Sequence, residues 1–229
     1  MRLAIMQPYL FPYIGYFQLI HAVDAFVVYD DVNFINRGWI NRNNILANGN
    51  PELFTLQLMG ASQNKLINEI SVGSNRQKLV KTIKQRYSKA PKFADVFPMV
   101  EQIIMNDESN LAVYLSNSLL TICDYLRIKA KWFISSELSK DNTLRGQEKI
   151  LSICQLLGTS HYINPPGGRP LYDRELFSNH GIKLSFINSR CEPYSQFGDE
   201  FAPYLSIIDV MMFNDQEQCS KLLQEYSLD

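Results

Sequence analysis

Two adjacent carboxylates, Asp30 and Asp31, are followed by Asn33, Arg37, Trp39, Asn41 and Arg42. So many polar side chains in one stretch are hard to place inside a core without mutual pairing or a ligand. Arginine forks can hold phosphate, and the Trp39 ring offers an apolar face to a sugar or a base. A carboxylate pair can also raise one of its pKa values and so provide a general base. The competing reading is a solvated loop in which aspartate simply pairs with arginine.

A second group lies upstream, in Gln7-Pro8-Tyr9-Leu10-Phe11-Pro12-Tyr13-Ile14-Gly15-Tyr16. Two prolines stiffen this loop, and Gly15 permits close approach where a helix begins. Helix N-termini carry free amides and a positive dipole end, so Gln7, Tyr13, Gly15 and Tyr16 are candidates for holding an anion. A rigid aromatic turn packed on the sheet would use the same residues. Two polar loops, Gly60–Lys65 with its cation Lys65 and Asn164–Arg169 with Gly167 and Gly168, could cover a ligand or be ordinary turns. Lys78, Lys81, Lys84, Arg86 and Lys89 read as a solvated helix face. His21 reads as a surface or satisfied core residue. No Ser-His-Asp, Cys-His, P-loop or metal-binding motif is evident.

The elements that must position these groups follow from hydrophobic patterning. Leu3-Ala4-Ile5-Met6 is an unbroken apolar run, as expected of a strand buried on both faces of a parallel sheet. Helical spacing at Phe17, Ile20 and Val23 follows, and then a second buried run, Ala25–Tyr29. This β-α-β layout predicts parallel strands. Asn48-Gly49-Asn50 between Ile45–Ala47 and Leu53–Leu58 predicts a hairpin. Helical segments near 76–88, 97–106 and 110–126, punctuated by Pro91 and Pro98, suggest a helical insert over 75–127. The alternation then resumes: strand Lys131–Ser135, helix Arg145–Leu157, strand His161–Ile163, short helix Asp173–His180 and a last strand Leu184–Ile187. Val210–Phe213 reads as core, and the tail Asp215–Tyr226 as a closing helix. The predicted architecture is one α/β domain over 1–229, a mostly parallel doubly wound sheet with an antiparallel hairpin and a helical insert. In such a sheet Gln7, Asp30-Asp31 and Asn164–Gly168 all lie just past carboxyl ends of strands, where ligands bind.

The net charge of -1 on 229 residues offers no global field for nucleic acid or acidic partners, so any charge recognition must be local. Four separated cysteines with only three histidines predict neither disulfides nor a zinc site. The apolar runs are too short for a signal peptide or a membrane span, which predicts a cytoplasmic protein with no membrane partner.

The strings IMQPYLFPYIGYFQLI, VVYDDVNFINRGWINRN, LMGASQNKLINEI, GGRPLYDRELF and YLSIIDVMMFN resemble the WbqC-like family, associated with bacterial O-antigen and surface-polysaccharide genes. The likeness spans nearly the whole chain. It implies a transferase that attaches glycine or another aminoacyl group to the amine of a nucleotide-linked amino sugar. On that reading the first loop and Arg37 or Arg42 hold phosphate, Trp39 and Asn41 contact the sugar, and Asp30 or Asp31 takes a proton from the attacking amine. The donor is open between an aminoacyl adenylate, made from ATP with magnesium, and an aminoacyl-tRNA. A fainter similarity to nucleotidylyltransferase folds places Tyr13-Ile14-Gly15-Tyr16 at their HxGH sequence. The glycine is kept and both histidines are absent, which leaves activation of a sugar phosphate, or non-catalytic binding of a sugar nucleotide, as alternative readings.

Overall fold

The computed structural model describes residues 1–198 and 200–229. Strand β1 (Arg2–Met6) leads through a loop to helix α1 (Ile14–His21) and back to β2 (Ala25–Val28). The two strands are parallel, with Leu3 opposite Ala25 and Met6 opposite Val28. Asp24 fixes the start of the pair by accepting the Arg2 backbone N–H at 2.8 Å and pairing with its guanidinium at 3.1 Å. Strands β3 (Arg42–Ala47) and β4 (Asn50–Thr55) form the antiparallel hairpin. Its turn holds Asn48 at φ 51° and Gly49 at φ 78°, the left-handed conformations that Asn-Gly adopts at least cost. A small ladder, β5 (Leu58–Met59) with β6 (Ser71–Val72), follows.

Helices α2 (Arg76–Tyr87), α3 (Phe93–Met105) and α4 (Leu111–Tyr125) come next, then β7 (Lys131–Ile134), α5 (Gly146–Leu156), β8 (His161–Asn164), α6 (Arg174–Asn179), β9 (Lys183–Ser189), α7 (Ile207–Phe213), α8 (Gln216–Leu222) and β10 (Tyr226–Leu228). The main sheet has the order β10-β9-β8-β1-β2-β7. Every neighbouring pair in it is parallel except β9 with β10. The chain builds outward from β1 to β2 and β7, then returns to build β8 and β9 on the other side. The order therefore reverses between β1 and β8, as in doubly wound folds.

Side-chain alternation along the strands divides the core in two. Ala4, Phe26 and Val28 face one layer, packed with Phe17 and Ile20 of α1, Ile122 of α4 and Met211 of α7. Leu3, Ile5, Ala25 and Val27 face the other, packed with Ile150 and Ile153 of α5 and Phe177 of α6. Each fully buried chain of this size contributes about 1.5–3 kcal/mol. Residues 75–127 share the first core with α1 and the sheet, so their helices form part of the crossover from β2 to β7.

The departures from the sequence reading have local causes. Helix α3 starts at Phe93 and runs through Pro98, which removes one hydrogen-bond donor without ending the helix. Val210–Phe213 belongs to α7, a helix too short for its period to stand out when nearly every residue is buried. The closing helix stops at Leu222, and Tyr226–Leu228 adds an antiparallel edge strand against Ile187–Ser189. Buried Asp209 in α7 accepts hydrogen bonds from Tyr194 (2.7 Å), Gln196 (2.6 Å) and Tyr87 (2.8 Å), pinning the segment after β9 to α2. Burial raises its pKa above the usual carboxylate value, against the lowering effect of those three donors.

Candidate functional site

The carboxyl ends of β8, β1, β2 and β7 form one rim of the sheet. They deliver Asn164, Gln7, Asp30-Asp31 and Ser135-Ser136 to it in that spatial order. A cavity of about 450 Å³ opens at the β2 and β7 end of the rim, below the start of α5. Tyr29, Asp31, Asn33, Asn68, Ser136 and Asn142 line it, with Arg145, Gly146 and Lys149 from α5 and its approach. The cavity thus lies to one side of the point where the strand order reverses.

Past the end of β2 the chain is still extended enough to send successive side chains apart. Asp30 turns inward and is 3% exposed. Its oxygens accept the Ser136 backbone N–H at 2.9 Å, the Ser136 hydroxyl at 2.6 Å and the Asn68 amide at 3.1 Å. It ties β2, the end of β7 and the turn at Ile67–Glu69 together, and it does not line the cavity. Asp31 turns towards the cavity. Its Oδ2 is 2.9 Å from the ammonium of Lys140 and 3.0 Å from that of Lys149, whose side chains are only 1% and 6% exposed. Lys140 also donates to the Ser135 carbonyl. Lys149 also donates to the Asp31 carbonyl at 3.0 Å and sits 5.0 Å from the centre of the Tyr29 ring. Burial alone would raise the Asp31 pKa, but Lys140, Ser135 and Lys149 outweigh it and hold the carboxyl below its ordinary value. Asp31 is therefore a weak base that stays charged and fixes two ammonium groups.

A pH dependence follows. Because the folded-state pKa of Asp31 lies below its unfolded value, its contribution to stability is present above the ordinary carboxylate pKa and is lost as pH falls through the depressed one. Acid unfolding followed by circular dichroism should be less steep in Asp31→Asn than in the native chain. An identical acid limb in the two proteins would contradict this assignment.

The first loop is tied to β3 and to the segment that leads into α7. The Phe11 carbonyl accepts from Asn43 at 2.7 Å and from the Ser206 hydroxyl at 2.8 Å, and the Pro12 carbonyl accepts the Ile207 N–H at 2.9 Å. Tyr16 is buried and donates to the Gln7 carbonyl at 2.7 Å. Gly15 lies directly under the Tyr13 ring, where a Cβ would overlap ring atoms. Packing accounts for this glycine. Gly168 is likewise required by close packing, since a Cβ there would collide with the Asn164 amide, whereas Gly167 faces open space.

The remaining candidates divide between two places. Asn33 lines the main cavity and donates to the Gln63 carbonyl at 2.6 Å. Trp39, half exposed, joins Tyr9, Pro12, Tyr13, Asn43 and Tyr204 around a second, aromatic cavity of about 250 Å³. Arg42 lies 5.9 Å from the Trp39 ring and donates to the Gly38 carbonyl, and Asn41 donates to the Leu56 carbonyl. Arg37 at φ 59° and Lys65 are exposed and line neither cavity.

The sequence reading missed Lys140, Lys149, Arg145, Asn68, Ser136 and Asn142. One signal was available. Lys149 sits at helical spacing with Ile150 and Ile153, on the face of α5 that enters the core, where an unpaired lysine would be costly. No helix among the described residues is long and apolar enough to cross a membrane.

The chain is 29% identical over 220 residues to the uncharacterized protein Rv1507c of Mycobacterium tuberculosis, an alignment that covers 93% of each chain. The family model of the WbqC-like proteins matches residues 7–221, a span that takes in the whole rim of the sheet from Gln7 through Asp31 and Lys149 to Asn164. By that match the chain belongs to the WbqC-like protein family.

Proposed function

We propose that the protein is a transferase of bacterial surface-polysaccharide biosynthesis that attaches glycine or a similar aminoacyl group to the amine of a nucleotide-linked amino sugar. The observation that carries this reading is the cavity past β2 and β7, in which amide and hydroxyl groups of Asn33, Asn68, Asn142 and Ser136 surround the cations Arg145 and Lys149, the latter paired with Asp31. Such neutral groups suit sugar hydroxyls. The cations bear on the amine. An ordinary α-amino group titrates near a pKa of about 8. Lys149 and Arg145 would disfavour its ammonium form and so present the free amine, which is the nucleophile.

Attack by that amine on the carbonyl carbon of the activated amino acid forms the new C–N bond. Collapse of the tetrahedral intermediate breaks the C–O bond to the donor; the proton shed by nitrogen goes to the departing ribose oxygen of an aminoacyl-tRNA, or to solvent when the leaving group is the phosphate of an aminoacyl adenylate. Asp31 acts here by holding Lys149 in place and not by removing the proton. Positioning is the main source of rate in this scheme.

The test is direct. Purified protein incubated with an amino-sugar nucleotide, glycine, ATP and magnesium, or with glycyl-tRNA, should yield a product heavier by one glycyl residue in mass spectrometry. Absence of that product with both donors overturns the reading. Pyrophosphate released from a sugar phosphate and a nucleoside triphosphate would instead identify a nucleotidylyltransferase. Tyr13 and Tyr16, standing where the HxGH pattern of those enzymes has histidines, weigh against that outcome.

A further inference from the structure

We infer that the outer face of α2 and the cavity at its end form a docking surface for RNA, and that the aminoacyl donor is carried on tRNA. The surface is argued from charge and shape; only the identity of its natural RNA rests on the proposed function. From Arg76 to Lys92 the chain carries seven cations and no carboxylate. Leu79, Ile83 and Tyr87 of α2 turn into the core. At 3.6 residues per turn the opposite face presents Lys78, Lys81 and Lys84, all exposed, interleaved with the exposed amides of Gln77 and Gln85. A helix face that serves only solvation mixes both signs, as Glu217 and Lys221 do in α8. Among the described residues none of the three lysines has an ion-pair partner. Of the carboxylates on neighbouring elements, Glu52 of β4 is taken by Arg86, Asp95 of α3 lies near Tyr125 in α4, and the exposed Glu101 of α3 pairs with none of them.

The second observation is what stands at the end of this stripe. A cavity of about 340 Å³ opens between the last turn of α2 and the β3–β4 turn, lined by Asn48, Gln85, Arg86, Ser88, Lys89 and Phe197. Phe197 is 47% exposed, yet its ring is held from behind, 4.8 Å from the Phe213 ring and 6.5 Å from that of Tyr87. A fixed aromatic ring with an open face, beside cations and neutral hydrogen-bonding groups, stacks a base while its phosphate is held. An anionic membrane would also meet the cations, but a helix lying in a membrane surface must insert an apolar face of its own, and that of α2 is spent on the core. The other end of α2 is tied to the main cavity. Arg76 donates to the Glu108 carbonyl at 2.7 Å, and Asn110 donates to the carbonyl of Asn68, which lines that cavity. Helix α2 thus runs from the Phe197 cavity towards the wall of the main one. With tRNA as donor, the ester C–O bond to the ribose breaks as the C–N bond forms, and the proton from nitrogen goes to the ribose oxygen.

Fluorescence anisotropy of a labelled, deacylated tRNA, with neither sugar nor acyl donor present, tests the surface. The native chain should bind at low salt and weaken steeply as salt rises, each phosphate contact adding roughly 0.7–0.9 to the slope of log affinity against log salt. Lys78→Gln, Lys81→Gln and Lys84→Gln combined should lower affinity at least tenfold and flatten that slope by about two. Phe197→Ser should lower affinity several-fold with the slope unchanged, the mark of a stacked base. The same exchange at the exposed Lys129, Lys131 and Lys183, on other elements, should leave affinity unchanged. No binding of tRNA by the native chain, or equal affinity in the α2 variant, overturns the inference. Capture by phosphatidylserine vesicles in place of tRNA, lost in the α2 variant, makes the face a membrane contact and overturns it too. Binding of tRNA through α2 without any transfer of glycine removes only the proposed reaction. Transfer from ATP and free glycine at equal rates in the native chain and the α2 variant removes only the RNA.

Discussion

Asp31→Ala is expected to destabilise the protein by about 3–5 kcal/mol, the range for breaking a buried ion pair from one side. The substitution leaves the ammonium groups of Lys140 and Lys149 in place, almost fully buried, with no carboxylate between them. For a chain of this length each kcal/mol moves the midpoint by roughly 2–4 °C. Thermal unfolding should therefore shift down by about 6–20 °C. A shift smaller than about 2 °C would mean that solvent reaches the two lysines and that the cluster contributes little. Adding Lys149→Met to Asp31→Ala should recover part of the loss, because one of the stranded charges is then removed and the methionine stem still packs under Tyr29. Simple additivity of the two substitutions would show that the two groups do not interact. The same cluster governs how activity data are read. Lost turnover in an Asp31 variant does not identify a base, because Asp31 also holds Lys149. Asn33, exposed at the mouth of the cavity with one hydrogen bond to a carbonyl, separates ligand contact from stability.

The buried parallel strands were legible because nothing but Leu3–Met6 and Ala25–Tyr29 could fill the centre of a sheet flanked by amphipathic helices. Asn48-Gly49 marked its hairpin for the same kind of local reason. What patterning cannot reveal is the order of strands that are distant in sequence. The placement of β7 beside β2 brings Ser136 and Lys140 to Asp30 and Asp31 from more than a hundred residues away. Without that neighbour the two aspartates read as an interchangeable pair facing local arginines. With it, Asp31 pairs with lysines, and Arg37 and Arg42 are left outside the cavity. The aromatic loop was ambiguous for a different reason. Its proline and glycine content fits both a ligand cradle and a tightly packed turn; the contacts from Asn43 and Ser206 pin its backbone, while Tyr9, Pro12 and Tyr13 still line the aromatic cavity.

Asp30→Ala separates the two neighbours most sharply, and it is expected to cost about 3 kcal/mol even though no cation touches Asp30. The loss comes from stranded donors. The Ser136 N–H, the Ser136 hydroxyl and the Asn68 amide all lose the charged acceptor that joins them, and hydrogen bonds to a charged group contribute roughly 1.5–3 kcal/mol each. Water entering from the cavity can satisfy part of what is left, which keeps the total below the sum. Asp30→Asn should be milder, because its carbonyl oxygen can still accept the Ser136 N–H while its amide faces the Asn68 amide donor to donor. Denaturant unfolding of the native chain and both variants measures the series, with alanine lowest and asparagine between. An Asp30→Asn protein as stable as the native chain would contradict this role, and would mean that the Ser136 and Asn68 donors find equivalent partners without the carboxylate.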